Sequence, residues 1–181
     1  MSILLNGDCL ELMEGVGEQS VDLIFCDLPY GQTSCRWDCK IDLSKLWSEI
    51  LRVKKLHTPI FFTTTTKFGV EIINSSPKNC PFRYDLVWCK SASCGFLSAK
   101  KMPLRKHGNI YIFKKEQGAY NPQKTEGNKP YKDDVRKKPK MGGIYGDDME
   151  ANPIINNGER HPTSILKYNN VWRGTLHRTQ K

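Results

Sequence analysis

An apolar run that ends in a carboxylate and a proline constrains this chain more than any other feature. Val21-Asp22-Leu23-Ile24-Phe25-Cys26 is rich in β-branched and aromatic residues and reads as a buried strand. Asp27-Leu28-Pro29-Tyr30-Gly31 follows at once, and a proline there cannot continue a hydrogen-bonded ladder. The chain therefore leaves a sheet with a carboxylate, a stiff turn and an aromatic ring presented at the carboxyl end of a strand. In open α/β sheets that edge is where ligands bind. Asp and Pro also make ordinary turns, so the rest of the chain decides how much weight the segment bears.

Met1 to Asp8 reads as a first strand ending in a Gly-Asp turn, and Cys9 to Glu14 as a short helix. A polar loop with Arg36, Trp37 and Asp38 leads to Asp42, a good N-cap for a helix from Leu43 to about Leu56. Leu43, Leu46, Trp47, Ile50 and Val53 fall at helical spacing, with Lys45, Glu49, Arg52 and Lys54 facing outward. Ile60 to Thr63 reads as a strand, Phe68 to Ile73 as a helix, and Tyr84 to Trp88 and Asn109 to Phe113 as strands, with Trp88 in the core. Strands alternating with helices predict an α/β fold on a parallel sheet, its last pair antiparallel. From residue 117 to about 170 the prolines and glycines break any long element. That stretch reads as an irregular basic insertion, ordered against a ligand.

Bulk properties narrow the class. The sequence has 181 residues, enough for one domain with an insertion, and no apolar run long enough to span a membrane. Its N-terminus lacks the basic region of a signal peptide. Seven cysteines without an export signal point to reduced thiols in the cytoplasm. Cys35 with Cys39, and Cys89 with Cys94, lack the tight paired spacing and nearby histidine of a zinc site, so no metal is expected. Net charge is +9, unevenly spread: residues 1–89 carry more acids than bases, whereas residues 90–115 carry seven Lys or Arg and no acid. A basic face beginning abruptly after an acidic one suggests a phosphate backbone as partner.

Several blocks then resemble one family in order. Asp27-Leu28-Pro29-Tyr30 resembles the catalytic motif of the amino-group DNA methyltransferases, usually Asp-Pro-Pro-Tyr, or Ser-Pro-Pro-Tyr in many cytosine enzymes. Arg83 to Lys90, Gly95 to Arg105, Tyr120-Asn121-Pro122-Gln123-Lys124, Arg160 to Ser164 and His177-Arg178-Thr179-Gln180-Lys181 resemble later blocks of the form in which the catalytic motif comes first. The resemblance implies a partial Rossmann-like sheet and transfer of a methyl group from S-adenosylmethionine to adenine N6 of a flipped base in double-stranded DNA. Cytosine N4 is the alternative target. It implies that Asp27, Leu28, Pro29 and Tyr30 are catalytic: the Asp27 carboxylate and the Leu28 carbonyl accept from the amine, and Tyr30 stacks on the base. Leu28 replaces the family's first proline, and Pro29 still holds it extended. Asp8, Asp27, Thr179, Gln180 and Lys181 are implied for the cofactor. Lys100, Lys101, Arg105, Lys106, Lys124, Lys137 and Lys138 are the candidates for phosphate contacts.

Three departures qualify what the resemblance implies. Arg178 stands where the family has proline, Gly108 stands where an acid is usual, and the resemblance places the family's Gly-rich cofactor loop after the last block, His177 to Lys181, so most of the cofactor pocket is expected to be missing from these 181 residues. The expected organisation is residues 1–116 as the catalytic α/β part, 117–170 as the target-recognition region and 171–181 as the start of a cofactor segment. A second chain or second copy is expected to complete the fold. The competing expectation is a catalytically inactive DNA-binding remnant, or one half of a split enzyme. The expected setting is the cytoplasm of a prokaryotic or virus-infected cell.

Overall fold

A computed structural model describes residues 2–133 and 154–168. The chain divides into two compact units, Met1–Ala119 with Ser164–Lys181, and Tyr120–Thr163. In the first, helix α1 (Cys9–Glu14) precedes strand β1 (Ile24–Cys26), followed by α2 (Leu43–Val53), β2 (Ile60–Thr64), α3 (Thr66–Ser75), β3 (Phe82–Cys94), a 3₁₀ turn (Phe96–Ser98) and β4 (Arg105–Phe113). Strands β5 (Tyr131–Asp133) and β6 (Ile154–Asn156) form an antiparallel pair in the second unit, and β7 (Ile165–Lys167) belongs to the first.

The main sheet runs β1-β2-β4-β3-β7. β1 and β2 are parallel, joined through α2, and β3 pairs with β7 in parallel. β4 is antiparallel to both its neighbours. The fold is therefore mixed α/β, with the β3–β4 pair antiparallel as expected and β2–β4 antiparallel as well. The alternation of strands and helices did not distinguish the second pairing, because β3 crosses to the outer side of β4 before the chain returns.

α2 forms where the sequence places it. The Asp42 carboxylate accepts from the amides of Ser44 and Lys45 at 2.9 and 3.1 Å, satisfying donors that the first turn leaves over. Its buried face is Leu46, Trp47, Ile50 and Val53. Trp47 meets Phe62 and Phe113 edge-on, with ring centroids 5.5 and 5.2 Å away, and those two rings meet each other at 5.6 Å. Ile60, Phe68, Ile72 and Cys80 close this core, which binds α2 and α3 to one face of the sheet. Each such side chain contributes roughly 1.5–3 kcal/mol by leaving water.

Four sequence expectations are corrected. The run Val21–Cys26, expected as a buried strand, pairs as a strand only over Ile24–Cys26, and at the sheet's edge among the described residues Phe25 is left exposed, since an edge strand has a neighbour on one side alone. Residues 3–5 form no strand: Ile3, Leu4 and Leu5 are 80, 97 and 59 % exposed, with no neighbouring strand to complete their hydrogen bonds among the described residues. Lys54 is buried rather than outward, because the helix stops at Val53 and Lys54 turns extended (ψ 143°), where its ammonium donates to the carbonyls of Lys55 and Leu56. Residues 120–133 and 154–168, expected to be irregular, carry three short strands. Two prolines flanking a segment forbid long elements but leave room for three-residue ones.

Candidate functional site

The register of the parallel pair builds the site. Ile24, Phe25 and Cys26 lie opposite Ile60, Phe61 and Phe62, so the next residues in line, Asp27 and Thr63, emerge side by side at the carboxyl edge. The Thr63 hydroxyl donates to Asp27 Oδ1. The Tyr30 hydroxyl reaches the same Oδ1 at 3.1 Å and Thr63 Oγ1 at 3.2 Å. Tyr30 is steadied from behind by Phe68, whose ring centroid is 5.4 Å from its own. Asp27, Leu28, Pro29 and Tyr30 are thus held together by one strand end and by a hydroxyl from its neighbour. Thr63 was not singled out from sequence. Its signal was the change from apolar Ile60-Phe61-Phe62 to four threonines, Thr63 to Thr66, where the strand ends.

The loop beyond Tyr30 is fixed by a second carboxylate. Asp38 is buried, and its oxygens accept from the backbone N–H groups of Gly31, Gln32 and Thr33 at 2.7, 2.9 and 2.6 Å. A hydrogen bond from the Thr33 side chain, followed by those three amides, holds its carboxyl down at about 2 against the desolvation that opposes it. Gly31 takes φ 62°, a left-handed conformation that glycine adopts without strain, and a Cβ there would stand 2.6 Å from Lys40 Cγ and push that side chain aside. Gln32 and Thr65 exchange side-chain hydrogen bonds at 2.9 and 3.1 Å, tying the loop to the start of α3.

A cleft of about 130 Å³ opens beside Tyr30, lined by Thr63, Trp88, Lys90, Arg105, His107 and Asn109 among others. Trp88, expected in the core, lines this cleft instead. It lies opposite Gly108, where an added Cβ would meet Trp88 Cε3 at 3.6 Å, an ordinary van der Waals contact. Trp88 Nε1 is buried without a hydrogen-bond partner among the described residues, and Lys90 Nζ sits 5.3 Å from the ring centroid. The cleft is smaller than the roughly 300 Å³ at which sites for cofactor-sized molecules begin. It suits a flat ring or the edge of one. Cys26, next to Asp27, is pushed up to about 12 by burial and stays a neutral thiol.

The other sequence candidates are dispersed. Asp8 caps α1, its carboxylate accepting from Leu10 N–H at 2.8 Å. Arg105 lines the cleft and donates to its own strand at the His107 carbonyl (3.0 Å), while Lys100, Lys101 and Lys106 are exposed on or beside the β3–β4 turn. In the second unit Lys124 pairs with Glu159 at 2.7 Å. Lys137, Lys138, Thr179, Gln180 and Lys181 lie outside the described residues. Among the described residues no three His, Cys, Asp or Glu side chains gather as a metal site, and no helix is long and apolar enough to cross a membrane.

No family model and no curated protein matches the sequence. Solved structures do match. M1.HpyAVI in complex with SAM is 12 % identical, with a TM-score of 0.49 over 67 % of this chain and 61 % of that one. M1.HpyAVI in a second structure is 10 % identical, with a TM-score of 0.41 over 61 and 52 %. The PvuII DNA methyltransferase, cytosine-N4-specific, is 13 % identical, with a TM-score of 0.47 over 94 and 58 %. The chain spans 52 to 61 % of the length of these structures.

Proposed function

We propose that this chain carries the amine-activating site of a DNA methyltransferase, with adenine N6 as the preferred target and cytosine N4 as the alternative. One observation carries the reading: Asp27 stands at the carboxyl end of β1 with the Thr63 hydroxyl on Oδ1, and Tyr30 beside it opens onto a cleft with basic walls. The Asp-Leu-Pro-Tyr order of the motif supports it.

An exocyclic amine is a poor nucleophile because its lone pair is delocalised into the ring. In this reading the Asp27 carboxylate and the Leu28 carbonyl accept from its two N–H bonds, drawing the nitrogen towards tetrahedral geometry and freeing the lone pair. Thr63 and Tyr30 fix the carboxylate, so its position need not reorganise during the reaction. Asp27 is also placed to hold the proton that the amine sheds once the N–C bond has formed. Tyr30, backed by Phe68, presents a ring to a base that has left the duplex. S-adenosylmethionine, when bound, supplies an electrophilic methyl group on a sulfonium. Asp8 and Asp27 are the described residues assigned to it, and Thr179, Gln180 and Lys181 complete the assignment. Lys100, Lys101, Arg105, Lys106, Lys124, Lys137 and Lys138 are assigned to phosphates.

The test is methyl transfer from tritiated S-adenosylmethionine to mixed-sequence duplex DNA, with the product nucleosides separated. Label in N6-methyladenine, lost in Asp27→Ala, is the expected result. Label in N4-methylcytosine moves the target, and no label while DNA and cofactor both bind rejects the reading.

A second reading is a DNA-binding chain with no transfer of its own. It is favoured by β1, which is an edge strand among the described residues and leaves Leu23 and Phe25 57 and 58 % exposed. Calorimetry with S-adenosylmethionine separates the two: no heat of binding alongside tight DNA binding selects the second.

A further inference from the structure

The β3–β4 hairpin continues past the cleft and ends in an apolar tip. Its last register pair is Cys94 with Arg105, and Arg105 is itself a wall of the cleft. Between them residues 95–104 close the hairpin as a turn bonded to itself. Gly95 takes φ 88°, and the amides of Ser98, Ala99, Lys101 and Met102 donate to the carbonyls of Gly95, Phe96, Ser98 and Ser98 at 2.8–3.1 Å. This backbone displays Phe96 and Leu97 at 78 and 87 % exposure, with Met102 at 59 %. A single exposed apolar residue needs no explanation. Four on one ten-residue turn, Leu104 at 45 % exposure being the fourth, next to Lys100 and Lys101 in a stretch with seven bases and no acid, do.

We propose that this tip is a wedge for duplex DNA: Phe96 and Leu97 enter the base stack while Lys100 and Lys101 take the flanking phosphates. The inference rests on the DNA reading above and adds to it the element that opens the duplex. Apolar side chains inserted between base steps unstack them, and a base leaves a disturbed stack at lower cost than an intact one. A basic, apolar tip also matches an anionic membrane surface. DNA is favoured because one hairpin supplies both features. Trp88, Lys90 and Arg105 at its base line the Tyr30 cleft, and Phe96 lies only two residues beyond Cys94. A duplex whose base enters that cleft meets the tip.

The experiment uses the 181-residue chain and a short mixed-sequence duplex carrying 2-aminopurine, whose fluorescence rises when it is unstacked. The wild-type chain is expected to bind and to raise the signal several-fold. The double variant F96A/L97A is expected to bind within about threefold of wild type, with an unchanged salt dependence, and to lose most of the rise. K100A/K101A is expected to weaken binding and to flatten the slope of log K against log salt by about 1.8, two phosphates at roughly 0.9 each. An F96A/L97A chain that unstacks DNA as wild type does overturns the wedge and leaves the methyltransferase reading intact. A wild-type chain that binds no DNA overturns both. Binding to phosphatidylserine vesicles that depends on Phe96 and Leu97, without unstacking of DNA, assigns the tip to a membrane instead.

Discussion

Thr63 and Asp27 are neighbours across two parallel strands, one step beyond the last register pair, Cys26 with Phe62, and the hydroxyl of the first donates to the carboxylate of the second. Thr63 is buried while Asp27 is exposed, so a fixed hydroxyl anchors one oxygen of a carboxylate that still faces solvent. It sets the carboxylate's rotation through a residue 36 positions away in sequence.

Replacing Thr63 by valine keeps the shape and removes the donor. The expected loss of stability is about 1 kcal/mol, the net worth of a typical intramolecular hydrogen bond, because the exposed Asp27 carboxylate can turn to water. Transfer activity is expected to fall by about 10² or more, the scale for losing one preorganised polar group at a reacting centre. Urea denaturation and the tritium assay measure the two separately. A valine variant with unchanged activity shows that Asp27 needs no support from β2.

Asp38 makes stability depend on pH in a stated direction. Its carboxyl is held at about 2 in the fold against an ordinary 3.8, so the charged form is the bound one. The stabilisation is complete above about pH 4 and disappears as pH falls through 2. Asp38→Asn is therefore expected to melt below wild type at pH 6, with the gap closing between pH 4 and pH 2. A gap that stays constant over that range contradicts the assignment.

Gly69 on α3 faces Tyr111 on β4, and a Cβ at that position would lie 2.3 Å from Tyr111 Cε2. Alanine raises helix propensity, yet the overlap demands that a ring or the helix move. Gly69→Ala is expected to cost about 1–3 kcal/mol. The double variant Gly69→Ala with Tyr111→Ala is expected to show less than the sum of its parts, by thermal denaturation.

Arg52 ties α2 to the end of α1. Its guanidinium donates to the carbonyls of Val16 and Met13 at 2.7 and 2.6 Å and pairs with Glu49 at 2.6 Å. Arg52→Met keeps the stem and strips the donors. About 1–3 kcal/mol is the expected loss, since two carbonyls lose a charged partner. Amide exchange in residues 9–16 is expected to quicken more than in α3.

What the sequence revealed was local. Asp42 announces α2 because a cap bonds amides two and three residues on, and Asp27-Leu28-Pro29-Tyr30 announces a strand end because proline stops a ladder. What it concealed needed two distant segments to meet. Thr63 reads as one of four threonines until the β1–β2 register puts it against Asp27. Trp88 reads as core until β3 is seen to run past Tyr30 and Thr63 and bring the indole to the cleft between them. Ile3-Leu4-Leu5 has the composition of a strand, but composition does not supply a neighbour to pair with. Lys54 was placed on a helix face one residue after the helix had ended.

The grip of Asp38 on residues 31–33 has a consequence for recognition. Three amides in succession are immobilised by one anion that titrates far below neutrality, so the backbone following Tyr30 is already set when the chain folds. A ligand arriving at Tyr30 then meets a rigid receptor, and the entropy of ordering that loop does not subtract from its affinity. That stiffness reaches the cleft through Tyr30, which precedes the three clamped residues and is itself one of the walls.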